Sequence, residues 1–216
     1  MITVLRKHPG KLVSAVFLAS GVFILMQIIL PVASFQIWAV SQKVSNQKLV
    51  SPKDSGSVLG ISVQNKDNFP TFVSSQIRET QPGYNTFSLS VPRLKIEKNV
   101  VFVDSNDLTK GLAHLPGSAL PGEKGNVFVS GHSALSRFFA GQNAPFGKLT
   151  DLKKGDEIII EAANSKFVYR VVDTKAVNPS DLSVIPAPDT QGRYISLMTC
   201  VPPGLNLKRL IVLGEL

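Results

Sequence analysis

From Phe87 onward the sequence is cut into short apolar runs rich in β-branched residues and separated by Gly, Pro, Asn and Asp, and this pattern limits the possible folds more than any other feature. The runs are Phe87 to Val91, Val100 to Val103, Asn126 to Ser130, Glu157 to Ala162, Phe167 to Val172, Tyr194 to Cys200 and Leu207 to Leu213. Between them there is no room for the long amphipathic helices that a parallel sheet requires. The pattern therefore predicts an all-β domain, an antiparallel barrel or sandwich. Three short helices are expected in the connections, over Ser105 to Lys110, around Phe146 to Leu152 and from Pro179. There is no internal repeat and no low-complexity segment.

The N-terminal part is different. Between Lys11 and Lys43 there is no charged residue, and Leu12 to Leu30 is 19 residues of mostly apolar chain, close to the ~20 that cross a ~30 Å hydrocarbon layer as helix. Arg6, Lys7 and Lys11 crowd its N-terminal flank, whereas Lys43, Lys48 and Lys53 are spread more thinly beyond it. The positive-inside bias then predicts a single-pass membrane anchor with a cytoplasmic N-terminus and an exported remainder. A cleaved signal peptide ending near Val32-Ala33-Ser34 is the alternative, disfavoured because the apolar stretch exceeds the ~7 to 15 residues of a cleaved signal core. Residues 41–86, rich in Ser, Gln, Asn, Lys and Pro, read as a spacer, with a short helix at Thr71 to Arg78 as an option. The expected organisation is a cytoplasmic N-terminus over 1–11, an anchor region over 12–40, a linker over 41–86 and a β-domain over 87–216.

The net charge of +8 is concentrated toward the N-terminus, since residues 1–85 carry 8 Lys and Arg against 3 Asp and Glu. In the β-domain the signs alternate instead of forming a run, so nucleic acid is not expected as a partner. A single cysteine excludes an internal disulfide framework and a thiolate metal cluster. An exported chain that keeps one thiol in an oxidising milieu keeps it for packing or for chemistry.

Cys200 ends a strand and is followed by Val201-Pro202-Pro203-Gly204, which must leave the sheet. A cysteine nucleophile needs a base, or a cationic neighbour that lowers its pKa. Outside the N-terminal segment the histidines are His132, at the end of the run Asn126 to Ser130 with Gly131 before it, and His114, in the turn-rich Gly111 to Gly117. If Val201 to Asn206 closes a hairpin, Cys200 faces Leu207, and alternation sets Arg209 and Ile211 on the same sheet face as the thiol, Arg209 diagonal to it. A guanidinium there can stabilise an oxyanion, and a solvated surface arginine is the alternative. A one-residue slip would turn Arg209 away. Ser133 is disfavoured as a nucleophile, because Gly131-His132-Ser133-Ala134-Leu135 lacks the second Gly of a nucleophile elbow.

At these residues the sequence resembles the sortases, membrane-anchored cysteine transpeptidases of the bacterial cell surface. The blocks that carry the resemblance are Leu197-Met198-Thr199-Cys200 with Arg209 downstream, and Gly125 through His132. Ser90 to Leu94, His114 to Gly122 and Leu149 to Asp156 extend it over essentially all of 87–216. The family usually has Thr where this chain has Ser196. Some members bind calcium through acids before the histidine, but between Gly111 and His132 this chain has only Glu123, too few oxygen ligands for Ca²⁺. No metal and no cofactor is expected. The absence of an Asp-Pro-aromatic lid motif in 41–85 disfavours a pilin polymerase.

The resemblance implies a closed eight-stranded β-barrel with the site at one rim and a ping-pong transpeptidation. Cys200 would attack the Thr-Gly bond of a sorting signal similar to Leu-Pro-x-Thr-Gly, His132 would act as general acid and base, and Arg209 would steady the oxyanion. Surface proteins bearing the signal and a cell-wall amine would be the partners. Thr199, His114 and the loop Asn178 to Gly192, with Leu182, Val184 and Ile185, would bind the signal. The rivals are a membrane-anchored cysteine peptidase that releases the acyl group to water, and a non-catalytic domain that binds an extended peptide.

Overall fold

Each of the seven apolar runs falls on a strand in the computed structural model, which describes residues 9–44, 61–66, 69–74, 82–133, 144–203 and 207–216. In chain order the elements are α1 (Pro9–Val44), β1 (Ile61–Lys66), β2 (Phe69–Ser74), β3 (Thr86–Val91), β4 (Ile96–Phe102), β5 (Leu112–His114), β6 (Gly125–Ser130), β7 (Glu157–Ala162), β8 (Ser165–Val177), β9 (Arg193–Val201) and β10 (Lys208–Glu215). The eight strands from β3 on form a closed barrel in the order β10-β8-β7-β3-β4-β5-β6-β9. Closure removes the unpaired edges that an open sheet would expose.

The barrel is not wholly antiparallel, as the short runs had predicted. β4 pairs β5 in parallel, Val101 opposite Leu112, and β6 pairs β9 in parallel from Gly125↔Arg193 to Ser130↔Met198. A parallel pair needs a crossover connection. The short one, from β4 to β5, contains a 3-10 turn at Leu108–Lys110, where the Asp107 carboxylate accepts from the Thr109 amide at 3.0 Å. The barrel strand missing among the expected runs is β5. Three residues are too few to show an alternation, and β5 is a strand because its partners β4 and β6 make it one. The expected short helices are 3-10 turns, at Leu108–Lys110, Leu149–Asp151 and Leu182–Val184, and a fourth lies at Pro92–Leu94.

Among the described residues no helix is long and apolar enough to cross a membrane. The stretch expected to do so is helical within α1, and large apolar side chains such as Phe17 and Leu18 are exposed on it. The linker expectation needs correction, because β1 and β2 form an antiparallel hairpin, Ile61 opposite Ser74 and Lys66 opposite Phe69. Thr71–Ser74 is therefore strand, which overturns the optional helix there; 75–78 lie outside the described residues. Pro70 is tolerated because each strand of a two-stranded sheet has a free edge.

Two apolar layers flank the barrel wall. The inner one holds Leu89, Val91, Ile158, Ile160, Val127, Val129, Ile195, Leu197, Leu210 and Val212, all fully buried. The outer one, on the opposite face of β6, β9 and β10, is Leu115, Phe128, Val184, Ile185, Met198 and Ile211. Burial of each such side chain stabilises by roughly 1.5–3 kcal/mol. The outer layer thus binds the segment around Leu182–Val184 firmly to the barrel.

Candidate active site

Cys200 lies one residue before the end of β9, on the outer face shared with Met198 and Ile211. Its partner across the hairpin is Arg209, directly opposite it, with Lys208 opposite Val201. The predicted register had set Leu207 opposite Cys200. The strands pair two residues further along β10, and a shift of two preserves the face while a shift of one would have lost it. Arg209 is moved from a diagonal to a facing position.

The consequence is direct contact. Arg209 Nη1 donates to Cys200 Sγ at 2.8 Å and to the Lys208 carbonyl at 3.4 Å. Arg209 is 0% exposed and Cys200 1%, so the solvated surface arginine is excluded. Burial pushes the Cys200 thiol from the ordinary 9.0 up to about 12, with Arg209 pulling in the opposite direction. Burial likewise lowers the Arg209 guanidinium, opposed by its attraction to Cys200. A cationic partner had been expected to lower the thiol. At this burial the loss of water outweighs the neighbouring charge.

His132 follows directly on β6. The parallel ladder ends at Ser130↔Met198, and the Gly131 amide donates to the Met198 carbonyl at 3.0 Å. His132 follows two residues beyond the end of that ladder. Its ring is half-buried, and burial lowers its pKa below the ordinary imidazole value. At neutral pH the site therefore holds a neutral thiol and a neutral imidazole beside a guanidinium. A Cβ on Gly131 would come within 2.5 Å of Leu112 and 2.7 Å of Phe146, so close packing requires glycine there.

The other expected site residues divide into two groups. Leu182 is partly buried, and Val184 and Ile185 are buried in the outer layer against Phe128, Met198 and Ile211. They pack on the face of β9 that carries Met198 and Cys200. Thr199, buried, points the other way, and its hydroxyl donates to the Gly131 carbonyl at 2.8 Å. His114 stands apart. It is 0% exposed in β5; its Nδ1 faces the Asp104 amide at 3.3 Å, and its Nε2 lies 2.9 Å from the Ala119 carbonyl and 2.8 Å from Ser118 Oγ. Both ring nitrogens are engaged within the protein, which leaves neither for a substrate. Among the described residues no three of His, Cys, Asp and Glu are gathered as a metal ion would need.

Two further residues hold the site together, Asn126, which the sequence placed only within the Gly125 to His132 block, and Ser133, which it weighed only as a nucleophile. Asn126 Nδ2 donates to the Ile185 carbonyl at 2.8 Å and to Ser196 Oγ at 3.0 Å, tying the Leu182–Val184 segment to β6. Ser196, noted only as a departure from threonine, is thus part of that tie. Ser133 Oγ donates to the Cys200 carbonyl at 2.6 Å. The available signal was parity: Asn126 falls on the face of Phe128 and Ser130, at a polar position beside the apolar run Val127-Phe128-Val129.

A sortase-domain family model matches residues 89–216. The chain is 31% identical over 139 residues to sortase D of Bacillus subtilis (strain 168), covering 62% of this chain and 65% of that protein. It is 30% identical over 131 residues to a sortase A of Listeria monocytogenes, covering 60% and 55%. The chain thus spans less than two thirds of either relative. Among solved structures it is similar to a lid mutant of sortase A from Corynebacterium diphtheriae, with 30% identity and a TM-score of 0.54, covering 61% of this chain and 69% of that one. It is similar also to sortase C of Clostridium perfringens with the C-terminal cell wall sorting motif, at 30% identity and a TM-score of 0.51, covering 59% and 68%.

Proposed function

The chain belongs to the sortase family, and from that premise we propose that it is a cysteine transpeptidase which cleaves a sorting signal similar to Leu-Pro-x-Thr-Gly between Thr and Gly. The observation that supports the reading is the 2.8 Å contact of Arg209 Nη1 with Cys200 Sγ near the end of β9, the strand that pairs in parallel with β6, which ends two residues before His132. Cys200 Sγ attacks the threonine carbonyl carbon as its proton passes to His132. His132 then gives that proton to the departing glycine amine, leaving a thioester on Cys200. An incoming cell-wall amine loses a proton to His132 and attacks the thioester, and the thiolate leaves and is reprotonated. Arg209 stabilises the oxyanion in both halves from a water-poor site, where a fixed donor is worth more than in water.

The signal would lie along the outer face, against Leu182, Val184 and Ile185, with Thr199 supporting the wall from behind. His114 is left out of this role, because both its ring nitrogens are occupied. The test incubates the full chain with a Leu-Pro-x-Thr-Gly peptide and an excess of amine. Mass spectrometry should find a thioester at Cys200 and the peptide joined to the amine. Release of the peptide acid alone, whatever the amine concentration, would replace transpeptidation by hydrolysis.

The charge-free stretch Leu12 to Leu30 with Arg6, Lys7 and Lys11 before it supports anchoring of the chain in a bacterial membrane, N-terminus in the cytoplasm and barrel outside. A cysteine introduced near Ser55 should react with a membrane-impermeant thiol reagent on intact cells; protection there would reverse the orientation.

A further inference from the structure

We propose that Ser133 is a positioning residue that fixes His132 against Cys200 by holding the Cys200 carbonyl. The proposal deepens the reading of His132 and Cys200 as acid-base and nucleophile, and rests on it. In a parallel ladder that continued beyond Ser130↔Met198 and the Gly131 bond to Met198, the next acceptor on β9, the Cys200 carbonyl, would receive a backbone N–H from residue 133. In the structure the Ser133 hydroxyl makes that bond instead, at 2.6 Å. One side chain thus replaces a missing rung while the backbone is released from the ladder at His132.

A second bond answers it from the opposite strand. Thr199 Oγ1 donates to the Gly131 carbonyl at 2.8 Å. The residues before and after His132 are therefore each tied to the Thr199-Cys200 dipeptide by a buried hydroxyl, and the His132 carbonyl accepts from the Phe146 amide at 3.2 Å. Ser133 and Thr199 are 8% and 2% exposed. In such surroundings a carbonyl deprived of its donor is left unsatisfied, so removal of the hydroxyl favours movement of the segment over loss of the bond in place. The segment that would move is the one carrying His132.

A displacement of ~1 Å in a catalytic group costs on the order of 10² in rate. In full-chain protein, Ser133→Ala should therefore lower kcat for peptide transfer by about 10- to 100-fold with KM within about threefold, on the same scale. Ser133→Thr, which keeps the hydroxyl, should recover most of the rate, whereas Ser133→Val, of the same shape without it, should not. Hydrogen exchange supplies a readout that needs no substrate: the Gly131 and Phe146 amides should lose protection in the Ala and Val variants and regain it in the Thr variant, with β7 amides unchanged throughout. A kcat close to wild type in Ser133→Ala, a loss confined to KM, or Thr and Val variants that behave alike would overturn the proposal. Should Ser133→Ala fail to fold, the Thr and Val pair decides. If the wild-type protein transfers no sorting-signal peptide, the functional reading fails by itself, and unchanged protection of Gly131 and Phe146 in the variants would overturn the positioning role independently.

Discussion

β7 and β9 stand apart in the same barrel, β7 between β8 and β3 and β9 between β6 and β10, and they differ in their pattern of burial. Along β7, Ile158, Ile160 and Ala162 face inward and are buried, while Glu157, Ile159 and Glu161 are at least partly open to solvent. In β9 every residue from Tyr194 to Val201 is buried: Ile195, Leu197 and Val201 line the interior, Met198 lies in the outer layer and Cys200 lies against Arg209. A wall wetted on one side can carry any polar residue on its wet face. A wall dry on both sides gains from pairing its polar groups, and β6, β9 and β10 pair most of theirs, Arg209 with Cys200, Asn126 Nδ2 with Ser196, Thr199 with Gly131 and Ser133 with Cys200, while Asn126 Oδ1 is buried without a partner. The proposed chemistry would take place where those pairs are, outside the barrel interior and inside the protein.

If the dry outer face is where the reaction takes place, the largest effects belong to it. Cys200→Ala should abolish both the thioester and the transferred product, as Cys200 is the single thiol of the sequence. His132→Ala should lower turnover by roughly 10² to 10⁴, the usual scale for losing a general acid and base. His114→Ala, on the inner side, should change the turnover of folded protein far less. Single-turnover mass spectrometry measures all three, and equal damage from the two histidines would break the distinction between the faces.

Arg209→Lys sharpens the comparison at one contact. Lysine preserves the charge but replaces a planar fork by an ammonium on a flexible stem. If Arg209 acts as a preorganised donor to the oxyanion, acylation should slow by about 10² with the fold unchanged. Near-full single-turnover activity would reduce it to electrostatic support for the sulfur.

The inner side of this barrel was legible because alternation is a local property: Phe87, Leu89, Val91, Ile158 and Ile160 announce their strands and their faces. β5 was not, since Leu112–His114 is too short to show a period and was read as part of a loop. At the site, parity alone sufficed to bring Arg209 onto the face of Cys200, and it survived a register error of two residues because the side-chain period is two. Burial of that face was not legible. It depends on Val184 and Ile185, which arrive from a distant loop, and from sequence nothing separates a wet outer face from a dry one. The same gap made the thiol look easy to ionise. The hairpin β1–β2 was hidden by its polar composition, Ser62, Gln64 and Asn65 diluting Ile61 and Val63.

A matched pair of truncations tests the two layers by stability. Ile160→Ala in the inner layer and Met198→Ala in the outer one should each cost about 2–5 kcal/mol by denaturant unfolding, the usual range for such deletions. Only Met198→Ala should raise KM for the peptide, because Met198 supports Val184 and Ile185 in the wall along which the signal is placed. An equal rise in KM from Ile160→Ala would mean that the layers respond as one body.

The smallest effect concerns pH. The folded protein holds the Cys200 proton more tightly than the unfolded chain does, since burial lifts the thiol from 9.0 to about 12. Between those values the unfolded chain has given up the proton and the native state has not, so raising the pH pulls the equilibrium toward unfolding. The stabilisation is complete below about pH 9 and fades as the pH climbs toward 12. At about pH 10.5 the loss is at most ~2 kcal/mol, at about 1.4 kcal/mol for each pH unit above the unfolded value. Tyr169, on the inner side, is also raised by burial, so the wild-type curve alone does not isolate the thiol. The difference in unfolding free energy between wild type and Cys200→Ala does, because every other group is common to both. That difference should shift against the wild type as pH rises from about 8 to 10.5. A difference that stays flat would mean the thiol is no more buried than a surface cysteine, and the outer face of β9 would then be as wet as that of β7.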